Sequence, residues 1–242
     1  MAKKILPFIE DNKLIEAIQE VVNAIKKAKA SVDLEKNSLD VFSAVFWCAA
    51  NGFNFKNWKA SEQSRQAQKT IQNAIGNFHQ RIIGSFDGCK DLGTGGIIDV
   101  ENIEGGWVAE IKNKHNTVKG SDRKGIYDNL EGAIRNYEGQ FGCQFTGYYV
   151  EIIPDGGNQY NDPFCPPDNT QQGKKRTLNE NIRLMSGPLF YELMTGDMDA
   201  LKKLVEVLPK VLSDHFSMHC SLSKDELGKL SNASLFGKSL ES

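Results

Sequence analysis

The chain has no apolar run long enough to cross a bilayer, no Cys-x-x-Cys pair, and no excess of basic residues, its formal net charge being −2. Each absence excludes a class. The first removes an integral membrane protein, and Met1-Ala-Lys-Lys is not followed by a signal-peptide core. The five cysteines, Cys48, Cys89, Cys143, Cys165 and Cys220, are odd in number and far apart. They suit neither a disulfide scaffold nor a zinc ribbon, so a reduced, cytoplasmic setting is expected. The charge balance excludes a nonspecific nucleic-acid coat, and any polyanion contact must come from local clustering in a cleft. A dinucleotide fingerprint is missing too: Gly93-x-Gly95 would need a third glycine where Ile98 stands. What remains is ordinary for a globular chain, with 242 residues, 40% apolar and 25% charged. No internal repeat or linker divides it.

The informative stretch runs from Ile97 to Lys114. Ile97–Glu101 and Trp107–Asn113 are short, alternating segments separated by Gly105-Gly106, which predicts a hairpin. With the turn centred between Glu104 and Gly105, opposing residue numbers sum to 209, so Asp99 faces Glu110. Lys112 shares the Glu110 face, while Trp107, Ala109 and Ile111 turn to the other. Two carboxylates at roughly 5 Å between Cβ atoms repel each other. A divalent cation ligated by both reverses that sign. Few protein carboxylates with open water positions suit Mg²⁺, which can polarise a phosphoryl oxygen and activate a water. Asp99 and Glu110 are thus candidate metal ligands, and Lys112 completes a phosphodiester-cleaving set.

The segment after the hairpin is rich in phosphate donors. Asn113, Lys114, His115, Asn116, Lys119, Ser121, Arg123 and Lys124 leave directly from Lys112, and are the candidate DNA-binding residues. Ser121-Asp122 opens a predicted helix to Tyr137 with Ile126, Leu130, Ala133 and Ile134 inward, its start a further anion site. Lys174-Lys175-Arg176 is a second basic cluster.

Elsewhere, hydrophobic spacing predicts an amphipathic helix over Asp11–Ala30 and a buried core helix over Ser38–Ala50, ending at Asn51-Gly52. A long helix follows over Ser61–Phe86, its inner stripe Ala67, Ile71, Ala74, Ile75, Phe78 and Ile82. Its amide-rich face (Gln63, Gln66, Gln68, Gln72, Asn73, Gln80) is solvated or lines a DNA cleft. Asp87–Gly96 reads as loop, Gln144–Ile153 as a central strand, Pro154–Lys175 as a long loop, and Asn179–Met185 as a short strand. Helices close the chain over Leu189–Met194 and Met198–Phe216, and the polar tail from Lys224 is expected to fray. His215, His219 and Cys220 have the helical i, i+4 spacing of a metal site, but no partner carboxylate or second cysteine stands near them for structural zinc. Strand, strand, helix, strand argues for an α/β layer fold with a mixed central sheet flanked by helices.

Asp99, Glu110, Lys112 and the following Asn-Lys-His-Asn-Thr resemble a type II restriction endonuclease of the PD-(D/E)xK nuclease superfamily. The longer run Ile-Ile-Asp-Val…Glu-Ile-Lys-Asn-Lys-His-Asn-Thr-Val-Lys-Gly-Ser-Asp, with the later Leu-Phe-Tyr-Glu-Leu-Met-Thr-Gly, is similar to the family that cuts at GGNCC. The overlap covers roughly Gly95 to Asp214, about half the chain. The resemblance implies one restriction-endonuclease-like domain over residues 1–242: a helical part (1–86), a catalytic α/β core (87–185) and C-terminal helices (186–242). It also implies Mg²⁺-dependent cleavage of double-stranded DNA by a homodimer, alongside a cognate DNA methyltransferase. Asp99 and Glu110 would hold metal, and Lys112 would orient or deprotonate the water. The superfamily's usual proline before the aspartate is Ile98 here. An additional helix carboxylate has only Glu62 as a distant counterpart. The alternatives are a structure-selective nuclease of the same fold and a noncatalytic DNA-binding module.

Overall fold

A mixed six-stranded sheet carries the centre of the computed structural model, which describes residues 4–30, 34, 38–93, 95–168 and 174–240. The chain forms two units, one made of Met1–Ala17 with His79–Ser242 and the other of Ile18–Phe78.

The sheet lies in the first unit. Its strands are β1 (Lys90–Asp91), β2 (Val100–Asn102), β3 (Trp107–Lys114), β4 (Thr146–Ile153), β5 (Asn161–Pro163) and β6 (Ile182–Ser186), ordered β1-β2-β3-β4-β6-β5. β3, β4 and β6 are mutually parallel at the centre, and the edges are antiparallel. Val108, Ala109 and Ile111 of β3 and Tyr149, Val150 and Ile152 of β4 are buried on both faces, as central parallel strands require. Helix α4 (Arg123–Phe141) covers one face with Ile126, Tyr127, Leu130, Ala133 and Ile134, packed into a core with Val108, Phe145, Tyr149 and Ile182. Gly147 allows this approach, since a Cβ there would stand 3.0 Å from Ile134. On the other face Phe190 of helix α5 (Gly187–Thr195) meets the rings of Trp107 and Tyr148 edge-on. Helix α6 (Ala200–Phe216) follows, burying Ala200, Leu201, Leu204 and Val211.

The fold class expected from sequence is the one observed. Three local expectations are corrected. The tail from Lys224 is not frayed: it forms helix α7 (Lys224–Phe236), started by a capping box between Ser223 and Glu226. Its end seats on the loop after β4. Gln159 Nε2 donates to the Leu235 carbonyl at 2.6 Å, and a Cβ on Gly157 would lie 1.8 Å from the Gly237 nitrogen. Both expected loops contribute a strand, β1 within Asp87–Gly96 and β5 within Pro154–Lys175, each zipped onto the sheet edge. His215, His219 and Cys220 do not share a helix, because α6 ends at Phe216.

The second unit contains most of helix α1 (Asp11–Ala30), helix α2 (Val41–Asn51) and most of helix α3 (Phe55–Ile83). The predicted α1 bounds hold. α3 begins six residues before Ser61, because Asn54 rather than Ser61 caps it, accepting the Asn57 N–H at 3.0 Å. α2 ends at Gly52 (φ 64°) as expected, but begins at Val41 rather than Ser38, because Asp40 caps it by accepting the Ser43 N–H. It is not a core helix, however: none of its residues is buried.

Candidate active site

The β2–β3 turn has the register that the sequence predicts. Val100, Glu101 and Asn102 oppose Ala109, Val108 and Trp107. Ile103–Gly106 form the four-residue loop, with Gly106 at φ 65° and the Gly105 N–H donating to Asn102 Oδ1 at 2.6 Å. The predicted opposition of Asp99 to Glu110 is altered in one respect. Asp99 precedes β2, and its N–H donates to the Ala109 carbonyl at 2.9 Å although Val100 is the residue paired with Ala109. Two residues thus face one, a bulge that re-aims the Asp99 side chain. Its Oδ2 accepts the N–H of Ile111 at 2.7 Å.

The two carboxylates still sense each other. Burial pushes the Glu110 pKa up, the Asp99 charge pushes it further, and the pairing with Lys112 opposes both. Burial likewise raises Asp99, against the Ile111 N–H, the Lys112 charge and a hydrogen bond from Gln80. Lys112 Nζ donates to Glu110 Oε1, with the two side chains 29% and 16% exposed. Two acids held in a half-buried site above their ordinary pKa are a strained arrangement that a cation would relieve. Among the described residues no group of three or more His, Cys, Asp or Glu side chains gathers around a point. Two carboxylates alone would suit only a hard cation that keeps water in its shell.

The residues after β3 divide in two. Asn116, Lys119 and Ser121 are exposed, whereas Asn113, Lys114 and His115 are half-buried along and just past the strand. His115 Nε2 lies 3.3 Å from Asp155. Lys124 pairs with Asp128 at 2.6 Å. Arg123 opens α4, its guanidinium over the rings of Tyr149 and Phe164 at 5.3 and 5.4 Å. Arg176 of the second basic cluster is taken up structurally, bridging Asp128 at 2.8 Å and stacking on Tyr127.

Sequence reasoning missed the acid that orients Arg123. Glu151 of β4 is the register partner of Lys112 and is 2% exposed. One carboxylate oxygen accepts from the Tyr160 hydroxyl at 2.5 Å, and the other lies 3.6 Å from Arg123. Its signal was a lone Glu in an otherwise apolar central strand, which is costly unless paired. Gln80 was singled out only as one of many amides; its contact with Asp99 depends on tertiary placement. Glu62 lies in the second unit, where Arg65 holds it at 2.6 Å and keeps its carboxyl below the usual range.

Comparison with known proteins identifies the family. The model of the Eco47II restriction endonuclease family matches residues 6–217. The type II restriction enzyme Eco47II of Escherichia coli is 39% identical over 86% of this chain and 87% of its own. The type II restriction enzyme Sau96I of Staphylococcus aureus is 34% identical over 88% of this chain and 82% of its own. No solved structure matches the chain.

Proposed function

Because the chain belongs to the Eco47II restriction endonuclease family and is thus a site-specific DNA endonuclease, we propose that Asp99, Glu110 and Lys112 are its catalytic set. The observation that carries this reading is the convergence of two destabilised carboxylates and a lysine on adjoining β-segments. Asp99 and Glu110 would hold Mg²⁺, which supplies Lewis-acid polarisation of the phosphoryl oxygen and a more acidic attacking water. Lys112, whose ammonium donates to Glu110, would orient the attacking water, and would take its proton only in the neutral amine form. Ile111 fixes one oxygen of Asp99 through its backbone N–H, so the main chain of β3 sets the acid's aim.

Asn113, Lys114, His115, Asn116, Lys119, Ser121, Arg123 and Lys124 then follow the duplex from the cleavage point. Arg123 is preset by Glu151 and two aromatic rings, a geometry suited to a phosphate clamp. The resemblance noted in the sequence supports GGNCC as the site, a homodimer as the cutting form, and a methyltransferase that protects the same sequence. It also supports a single domain over residues 1–242 acting in the cytoplasm. Among the described residues no helix is long and apolar enough to cross a membrane. The test is digestion of a sequenced plasmid with Mg²⁺ and mapping of the ends: discrete fragments ending at GGNCC support the reading. Retained cutting by both Asp99→Ala and Glu110→Ala proteins removes the catalytic assignment.

A further inference from the structure

Residues 38–77 include not one buried residue. Within them α2 is the most apolar helix of the chain, yet Val41, Phe42, Val45, Phe46 and Trp47 are 51–76% exposed, and Phe55 at the start of α3 is 73% exposed. An isolated helix of 11 residues is marginal in water, and its stability must come from packing on one face. Phe42, Phe46 and Phe55, at roughly 200 Å² each and about three-quarters open, expose about 450 Å², to which the two valines add, while Trp47 lines the cleft between α2 and α3. That is the greater part of what one partner contributes to an interface of standard size, and reaches the upper end for the largest apolar patch of an ordinary monomer.

We propose that this face of α2 and the first turn of α3 docks against the same face of a second copy of the chain. The choice of partner rests on the nuclease reading: each chain supplies one Asp99–Glu110–Lys112 set, and a duplex has two strands to cut. The chemistry of the face agrees. From Val41 to Asn51 there is no charged residue, so a two-fold axis through the helix brings no like charges together. A duplex or an anionic membrane would require cations on that face. A core rich in aromatics and depleted of charge is the composition of a homodimer interface. Phe42 and Phe46, one helical turn apart, lie on one side and form its centre.

Sedimentation of the full chain, without DNA or metal, tests this over a concentration series. Wild type is expected to be a dimer. Phe42→Glu/Phe46→Glu and Phe42→Lys/Phe46→Lys proteins, with helix content verified by circular dichroism, should each self-associate at least about 30-fold more weakly, the loss of one interface hot spot. Mixing the two oppositely charged proteins should restore dimers, which a merely misfolded pair would not do. A monomeric wild type, association unchanged in both variants, or a mixture no better than either protein alone overturns the proposal. Plasmid cleavage by wild type is measured separately. A wild type that cuts DNA as a monomer sinks the docking surface and leaves the nuclease reading intact. A dimer that responds to the substitutions but cuts nothing does the reverse.

Discussion

Asp99 Oδ2 accepts the backbone N–H of Ile111 at 2.7 Å, which ties the first acid to the residue lying between Glu110 and Lys112. The three side chains are thereby referenced to a single strand, and movement of β3 moves them together.

The site is built at a cost to stability, and its sign can be worked out. A carboxylate whose folded pKa is raised stabilises the fold only below its unfolded value, near 4, and that contribution is lost as pH rises through the folded value. Both Asp99 and Glu110 are raised. At neutral pH their charges therefore oppose folding in the absence of a cation. Asp99→Asn and Glu110→Gln should each abolish plasmid cleavage while raising, not lowering, the melting temperature of the metal-free protein. Scanning calorimetry at neutral pH checks this, and a lower melting temperature in both variants would show the acids to be structural.

The same shifts set the pH range for metal. Both acids must lose protons to act as ligands, so cation affinity should fall off on the acid side at a pH above that of ordinary carboxylates. Titration calorimetry with Mg²⁺ in buffers of different ionisation enthalpy should register proton release on binding. Heats independent of the buffer would contradict it.

Lys112→Ala should reduce cleavage on the order of 10²–10³-fold while leaving DNA affinity in Ca²⁺ nearly unchanged, as expected for a group acting mainly on the developing charge. Gel-shift and single-turnover measurements separate the two quantities. A purely binding role would show as lost affinity with the cleavage rate preserved.

Glu151→Gln should weaken duplex binding by loosening Arg123, and should destabilise the fold by about 1–3 kcal/mol, because a buried hydrogen-bonded charge loses its partners' complement. For a chain of this size that is a fall of several degrees in melting temperature. Lys119→Ala, at an exposed position, should instead lower the salt dependence of binding by about one counterion without touching stability.

His79 gives the fold its own acid limit. It is buried, its Nδ1 lies 3.0 Å from the Tyr191 hydroxyl, and burial lowers its pKa from 6.5 to about 4. A depressed histidine contributes stability that is complete above its unfolded pKa and lost as pH falls toward the folded one. The gap amounts to about 3 kcal/mol, lost between roughly pH 6.5 and 4. His79→Gln should flatten the stability profile in that window, as read by urea melts. An unchanged slope would assign the acid sensitivity elsewhere.

How much of this was legible in the sequence depended on how local the cause was. The register of β2 against β3 followed from two glycines and period-two alternation, both within a dozen residues. α4, β4 and the apolar positions that face them followed from periodicity in the same way. Asp99's bulge did not, because it depends on which carbonyl its N–H finds in three dimensions. Glu151 and Gln80 were likewise visible as residues but not as neighbours of Arg123 and Asp99. α2 misled for an instructive reason: an apolar helix announces that something must cover it, not that its own chain will. The capping box at Ser223 and Glu226 was readable, and polarity of the surrounding tail was wrongly given more weight.

The seating of α7 on Gly156 and Gly157 bears on how the protein can be handled. Those glycines adjoin Asp155, which meets His115 in the segment leaving β3. Helix α7 therefore braces, through that loop, the segment leaving β3. Trimming the chain at Leu222 to obtain a smaller version would slacken that brace, whereas a tag appended beyond Leu240 leaves it in place.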